Sequence, residues 1–186
     1  NLMRPYRGDR DLSPAELVDK AGSFPFGAML LRREVVEKLP DWYFRCPVGD
    51  RPLELLSALK GYCHYADRFD SVYRFHGSGS WTEEMKRGDF KKKQDRYALA
   101  MRELYRAFDR ESGGRYHREA VSAARRVYFL TRVNLRDYGE IFSPRNRRYY
   151  RELPLRDRFF IRAERELPFL FAGLRRVRDR IFGQER

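Results

Sequence analysis

Apolar positions change their spacing along this chain. Up to Phe75 they come in short runs cut by Gly, Pro and charged residues, which predicts short strands and short helices. Beyond Trp81 they recur at three, four and seven residues, which predicts amphipathic helices. In the first region, Ser13-Pro14-Ala15-Glu16 reads as a capping box with Pro at the first helical position, opening a helix to about Lys20. Phe24 to Leu31 reads as a buried strand, with Gly27 and Ala28 leaving room for a close approach. Glu34 to Leu39 reads as one or two helical turns stopped at Pro40. Leu53, Leu55, Leu56, Ala58 and Leu59, bounded by Asp50 and Gly61, predict a helix of roughly three turns with Pro52 in its first turn. Tyr62 to Phe69 and Ser71 to Phe75 read as two short strands.

In the second region, Phe90, Tyr97, Ala100, Met101, Leu104 and Phe108 predict one long helix from Trp81 to about Asp109, broken by Ser112-Gly113-Gly114. A second helix is expected from about Tyr116 to Asn134, with Ala120, Ala123, Ala124, Val127, Phe129 and Leu130 on its contact face. Pro144 and Pro154 then cut the chain into short helical pieces. These patterns predict an α+β fold in two parts, residues 1–84 with short strands and helices and residues 85–186 as a helical, Arg-rich extension.

Charge narrows the partners. Forty Lys and Arg against 27 Asp and Glu give a net charge of +13 over 186 residues. This favours anionic partners such as nucleic acid, acidic lipid headgroups or phosphate-bearing substrates, without choosing among them. The final stretch from Arg156 mixes Arg with Phe159, Phe160, Leu167, Phe169 and further apolar residues. It reads either as an interfacial membrane helix or as a helix packed on its own domain or a partner. Cys46 and Cys63 lack metal-site spacing and call for no disulfide framework, which suits a reduced, cytoplasmic setting. Neither a signal peptide nor an apolar run of membrane-spanning length is evident.

The candidate chemistry centres on Val48-Gly49-Asp50-Arg51-Pro52. A carboxylate at the start of a helix sits at the positive end of the dipole, where negative charge is favoured. Asp50 therefore reads either as an N-cap or as a general base. Just upstream, Asp41-Trp42-Tyr43-Phe44 is an aromatic cluster in which Trp42 either stacks on a sugar or anchors a loop. Downstream, Tyr73-Arg74-Phe75-His76-Gly77-Ser78-Gly79-Ser80-Trp81 is a flexible loop whose amides, with Arg74 and His76, suit a diphosphate or a metal. A lone His at a strand end is also commonly structural. Asp9-Arg10-Asp11 matches Asp-x-Asp formally, but an Arg-Gly turn precedes it instead of a buried strand, so it reads as a solvated loop.

In their order, the segments "FPFGAMLLRREVVEKLPDWYF", "VGD", and "GYCHYADRFDSVYRFHGSGSW" resemble the C-terminal half of bacterial family 2 glycosyltransferases, inverting nucleotide-sugar enzymes of GT-A fold. The resemblance covers roughly residues 10 to 85. It implies that Asp50 is the base that deprotonates the acceptor hydroxyl. It further implies that Phe26, Gly27 and Ala28 line the acceptor side, where ordinary strand core is the other reading, and that Arg74 and His76 face the leaving group, His76 also as a metal ligand; Trp42 and Trp81 are further candidate substrate-binding residues. Many relatives carry Glu-Asp where this chain has Gly49-Asp50. The implied cofactor is a divalent metal, manganese or magnesium, held mainly by the nucleotide-binding half that carries the family's Asp-x-Asp. That half does not precede Phe24 here and the chain begins Asn-Leu-Met, so a fragment, inactive alone, is expected. The implied partners are a nucleotide-sugar donor and a glycan or lipid-linked acceptor, with peripheral contact at the inner face of the membrane through the Arg-rich C-terminus.

Two other classes compete. A basic helical module binding nucleic acid fits the charge, but no RNP, zinc-finger, KH or helix-turn-helix pattern accompanies it, so nucleic acid is disfavoured. The other is a scaffolding helical domain. Processive polysaccharide synthases are disfavoured because Gln94-Asp95-Arg96-Tyr97 departs from their Gln-x-x-Arg-Trp.

Overall fold

The computed structural model describes residues 5–19, 24, 26–72, 84–85, 87–169 and 171. The described residues are mostly helical, with one small two-stranded sheet. Chain contacts divide the protein into two units, Asn1–Thr131 and Arg132–Arg186.

In the first unit, strand β1 (Arg10–Leu12) pairs antiparallel with β2 (Cys63–Tyr65), in the register Arg10 to Tyr65, Asp11 to His64 and Leu12 to Cys63. The segment read as a loop is therefore a strand. An isolated two-stranded ribbon is marginal in water. This one is backed by Tyr6, Phe24 and Tyr65, whose rings lie 5.4 to 6.5 Å apart. The carboxylates of Asp9-Arg10-Asp11 are engaged locally: Asp9 Oδ1 accepts from the Asp67 N–H, and Asp11 Oδ1 lies 2.8 Å from His64 Nδ1.

Helix α1 (Pro14–Asp19) opens with the expected capping box. Glu16 Oε2 accepts from the Ser13 N–H and hydroxyl, both at 2.9 Å, and the Glu16 N–H returns a bond to Ser13 Oγ at 3.3 Å. The strand expected over Phe24 to Leu31 is not formed. Phe26–Ala28 is a 3-10 turn in which the Phe26 carbonyl accepts from the Met29 N–H, and Phe26 and Leu30 point outward. Its apolar residues are not covered as a buried strand's would be, and the described sheet holds only β1 and β2. Short helices α2 (Arg33–Val36) and α3 (Asp41–Phe44) follow, then α4 (Asp50–Lys60). Of the two later strands expected, Tyr62 to Phe69 shrinks to β2; Ser71 and Val72 form no strand, and the remainder of Ser71 to Phe75 lies outside the described residues.

Helix α5 (Phe90–Glu111) begins later than the apolar spacing predicts. Gly88 takes φ +67°, and Asp89 caps the helix by accepting the Lys92 N–H at 2.9 Å. The turn after α5 uses Gly113 at φ +61° and Gly114 at φ +76°, a region that side chains with a Cβ resist. Helix α6 (His117–Asn134) then returns. Phe108 and Tyr116 stack across the turn with ring centroids 6.0 Å apart.

One core cluster joins Leu12, Leu17, Val18, Leu55 and Ala58 to Met101, Leu104, Tyr105, Phe108, Ala120 and Ala123. It draws on both sides of the division expected at residues 84 and 85, and the contact boundary falls within α6 instead. A smaller cluster holds Val35, Leu53 and Leu56. On the predicted face of α6, Ala120, Ala123 and Phe129 are buried, whereas Leu130 is exposed.

The second unit contains α7 (Tyr138–Ile141), a 3-10 turn (Pro144–Asn146), α8 (Arg147–Glu152) and α9 (Leu155–Glu166). As predicted, Pro144 and Pro154 stand at the breaks. Among its described residues Arg132, Ile141, Asn146 and Tyr149 are buried, and Asn146 Nδ2 donates to the Glu140 carbonyl at 2.7 Å.

Candidate functional site

Helix α4 follows from its sequence: an apolar face of Leu53, Leu55, Leu56 and Ala58 goes into the core, and Gly61 ends it. Gly49, not Asp50, is the N-cap residue; Asp50 is the first helical residue and is half-buried. Its Oδ1 accepts the Arg51 N–H at 2.8 Å, satisfying one of the amides that a helix start leaves without a partner. Among the described residues, no other hydrogen bond or ion pair engages this carboxylate. That leaves acceptor capacity at the positive end of an 11-residue helix.

Phe26 is brought to this point. A Cβ on Gly49 would meet the Phe26 ring at 3.9 to 4.0 Å, ordinary contact, and the ring is 62% exposed. Gly27 follows in the same 3-10 turn, with open space where its side chain would be. Trp42 is placed differently. It is half-buried and packs against both apolar clusters, with a buried Nε1 that has no hydrogen-bond partner. Arg74, His76 and Trp81 lie outside the described residues.

Beneath Asp50 lies a network that the sequence does not announce. The Arg51 side chain is 4% exposed. Its Nε donates to the Tyr105 hydroxyl at 2.8 Å, Nη1 to the Leu17 carbonyl at 2.8 Å and to Glu54 Oε2 at 2.6 Å, and Nη2 to the Val18 carbonyl at 2.6 Å. Arg126 reaches the same end of α1 from α6, donating to the Asp19 carbonyl and, at 3.1 Å, to Asp19 Oδ1. Two guanidinium groups thus meet the carbonyl end of α1, where the helix dipole favours cations. The only local hint was the i, i+3 spacing of Arg51 and Glu54, which ordinarily marks a solvated pair.

Tyr97 and Cys46 complete the surroundings. Burial pushes the Tyr97 hydroxyl well above the usual tyrosine range; Tyr105, Cys46 and Asp50 add to the shift and Arg51 opposes it. The Cys46 thiol is raised first by burial and also by Asp50, with the Val48 backbone bond and Arg51 acting the other way. Both therefore stay protonated near neutral pH, so neither supplies a nucleophile there.

No group of three or more His, Cys, Asp or Glu among the described residues is placed to hold a metal ion. None of the helices among the described residues is long and apolar enough to cross a membrane. Compared with known proteins, the chain matches no family model, no curated protein and no solved structure.

Proposed function

We propose that this chain is the acceptor-side part of an inverting nucleotide-sugar glycosyltransferase of GT-A type, with Asp50 as its general base. The observation that supports it most is the half-buried Asp50 carboxylate at the start of α4, held through one oxygen by the Arg51 N–H, with the exposed Phe26 ring beside Gly49. The order of sequence segments around Asp50 supports the same reading.

In this reaction Asp50 takes the proton of an acceptor hydroxyl, and the acceptor oxygen attacks the anomeric carbon. The bond from that carbon to the nucleoside diphosphate breaks with inversion. Phe26 offers an apolar face to the acceptor sugar. Donor binding and the divalent metal are assigned to a nucleotide-binding half beyond these 186 residues, and Arg74 and His76 to the leaving-group side. No step above depends on a metal held by the described residues.

The test is donor hydrolysis and sugar transfer by the full-length gene product, with a panel of nucleotide sugars and manganese or magnesium, wild type beside Asp50→Asn. Transfer by the wild type and its loss, by about a hundredfold or more, in the variant is the expected result. Full transfer by Asp50→Asn would remove Asp50 from the chemistry, and no turnover with any donor would reject the enzyme reading.

A further inference from the structure

Helix α9 leaves several of its large apolar side chains exposed. It has 12 residues, none of them buried. Its half-buried side mixes Ile161 and Ala163 with Arg158 and Glu164: Glu164, 16% exposed, pairs with Arg136 at 2.9 Å, and the Arg158 carbonyl accepts the Tyr150 hydroxyl, while the exposed Arg165 guanidinium lies 4.7 Å from the Phe142 ring centroid. Three large apolar side chains nevertheless face solvent, among exposed charged ones. Leu155 is 77% and Phe159 69% exposed, one helical turn apart, and Phe160 is 46% exposed. Leu167 and Phe169, just past the helix, are exposed as well. Phe159 and Phe160 lie together, with ring centroids 5.9 Å apart, and exposed large apolar side chains gathered in this way mark an interaction site.

The charges of α9 and of the preceding helix α8 indicate the occupant. Arg147, Arg151, Arg156 and Arg162 are all exposed, and no carboxylate pairs with any of them among the described residues. Arg156 lies over the Phe160 ring, 5.7 Å from its centroid, so cation and aromatic ring are presented together. Asp157 and Glu166 are the exposed acids of α9, and Glu166 has Arg165 at 3.8 Å.

We propose that α9 docks in the plane of an anionic lipid surface, with Phe159, Phe160 and Leu155 in the acyl boundary and the unpaired arginines on the headgroup phosphates. A bilayer supplies both an apolar medium and negative charge, as this surface requires. A second copy would set like charges against each other. Nucleic acid would leave Leu155, Leu167 and Phe169 without an apolar partner. The inference stands independently of glycosyl transfer.

The test is flotation of the 186-residue chain with vesicles of phosphatidylcholine alone and of phosphatidylcholine with phosphatidylglycerol. Co-flotation is expected with the anionic vesicles, about tenfold or more weaker with the neutral ones, and weakened by salt. The double variant Phe159→Ser with Phe160→Ser should lose roughly tenfold or more in vesicle affinity with unchanged helix content by circular dichroism, since both rings are exposed. Arg156→Glu with Arg162→Glu should lose the preference for anionic vesicles. Absence of flotation with anionic vesicles, or undiminished binding by both double variants, would overturn the proposal. So would a dimer in sedimentation that the Phe substitutions abolish, or RNA binding that depends on these two Phe residues.

Discussion

Arg51 on α4 and Tyr105 on α5 are joined by a 2.8 Å hydrogen bond, and the guanidinium carbon lies 5.1 Å from the centroid of the same ring. The contact links helices 54 positions apart in sequence, and the same guanidinium also binds two carbonyls of α1 and the buried Glu54. Breaking one member of a buried ion pair strands the other, so Arg51→Met should destabilise the protein by about 3–5 kcal/mol. Arg51→Lys should recover little, because an ammonium cannot reproduce the forked geometry. Adding Glu54→Leu to Arg51→Met should restore part of the loss. Urea unfolding of the four proteins checks this, and a loss below about 1 kcal/mol for Arg51→Met would contradict the account.

Asp50 makes a different prediction, because its bond is local. Replacing it with Asn keeps an acceptor for the Arg51 N–H and removes only the charge at the helix start, so stability should fall by no more than about 1 kcal/mol. A thermal melt of Asp50→Asn that stays close to wild type would mean that lost transfer reports chemistry and not misfolding.

The capping box carries an acid dependence. The hydrogen bonds from Ser13, with help from Arg10, hold the Glu16 carboxyl below its ordinary 4.5. A depressed folded value stabilises the fold above 4.5, and that contribution is lost as pH falls through the folded value. The Glu16 side chain is 35% exposed, so solvent screening makes the effect modest. Melting temperature against pH should show a shallower acid decline in Glu16→Gln than in wild type. Ser13→Ala should cost about 1 kcal/mol at neutral pH.

At the other end of the pH scale, burial raises Tyr97 and Tyr105 above their ordinary 10.0. The folded protein then keeps phenolic protons that the unfolded chain releases. Stability is therefore full below 10.0 and declines as pH rises from there toward the folded values. Tyr97→Phe should flatten part of that alkaline decline in urea midpoints, and an unchanged slope would remove Tyr97 from it.

The turn after α5 depends on backbone freedom alone. Nothing lies within 4 Å of a Cβ built on Gly113 or Gly114, yet both have positive φ. Either residue changed to Ala should cost about 1–2 kcal/mol from strain and not from collision. Unfolding midpoints of the two variants would check it.

What could be read from the sequence depended on distance along the chain. The Ser13–Glu16 box, the α4 apolar face, the break at Gly113-Gly114 and the start of α9 after Pro154 are local signals, and each is found in the structure. Pairing of Arg10–Leu12 with Cys63–Tyr65 is not local. A polar segment with one buried apolar residue, Leu12, carries no strand signature until its partner is known. Phe24 to Leu31 erred the other way, since apolar content was read as burial while Phe26 and Leu30 face solvent. At the candidate site, Asp50 and its helix were legible from a carboxylate, a proline and an apolar run. Its support by Arg51 and Tyr105 was not, because an Arg in a first turn ordinarily meets water. Trp42 was legible as an aromatic anchor or a stacking surface, and only its packing against both apolar clusters gives its place in the core.

The Arg126–Asp19 contact spans 107 positions. Helix α1 is only six residues long, too short to persist by itself in water, and its carbonyl end is held by one group from α4 and one from α6. Closing contacts so far apart in sequence is costly, so its docking is expected to follow the approach of α4 and α6, and the unfolding and refolding rates of Arg126→Ala would check that order. Late contacts contribute little to the transition state, so weakening them chiefly speeds escape from the native state. The lifetime of the folded protein, more than the speed of its assembly, then rests on two arginines far apart in the sequence.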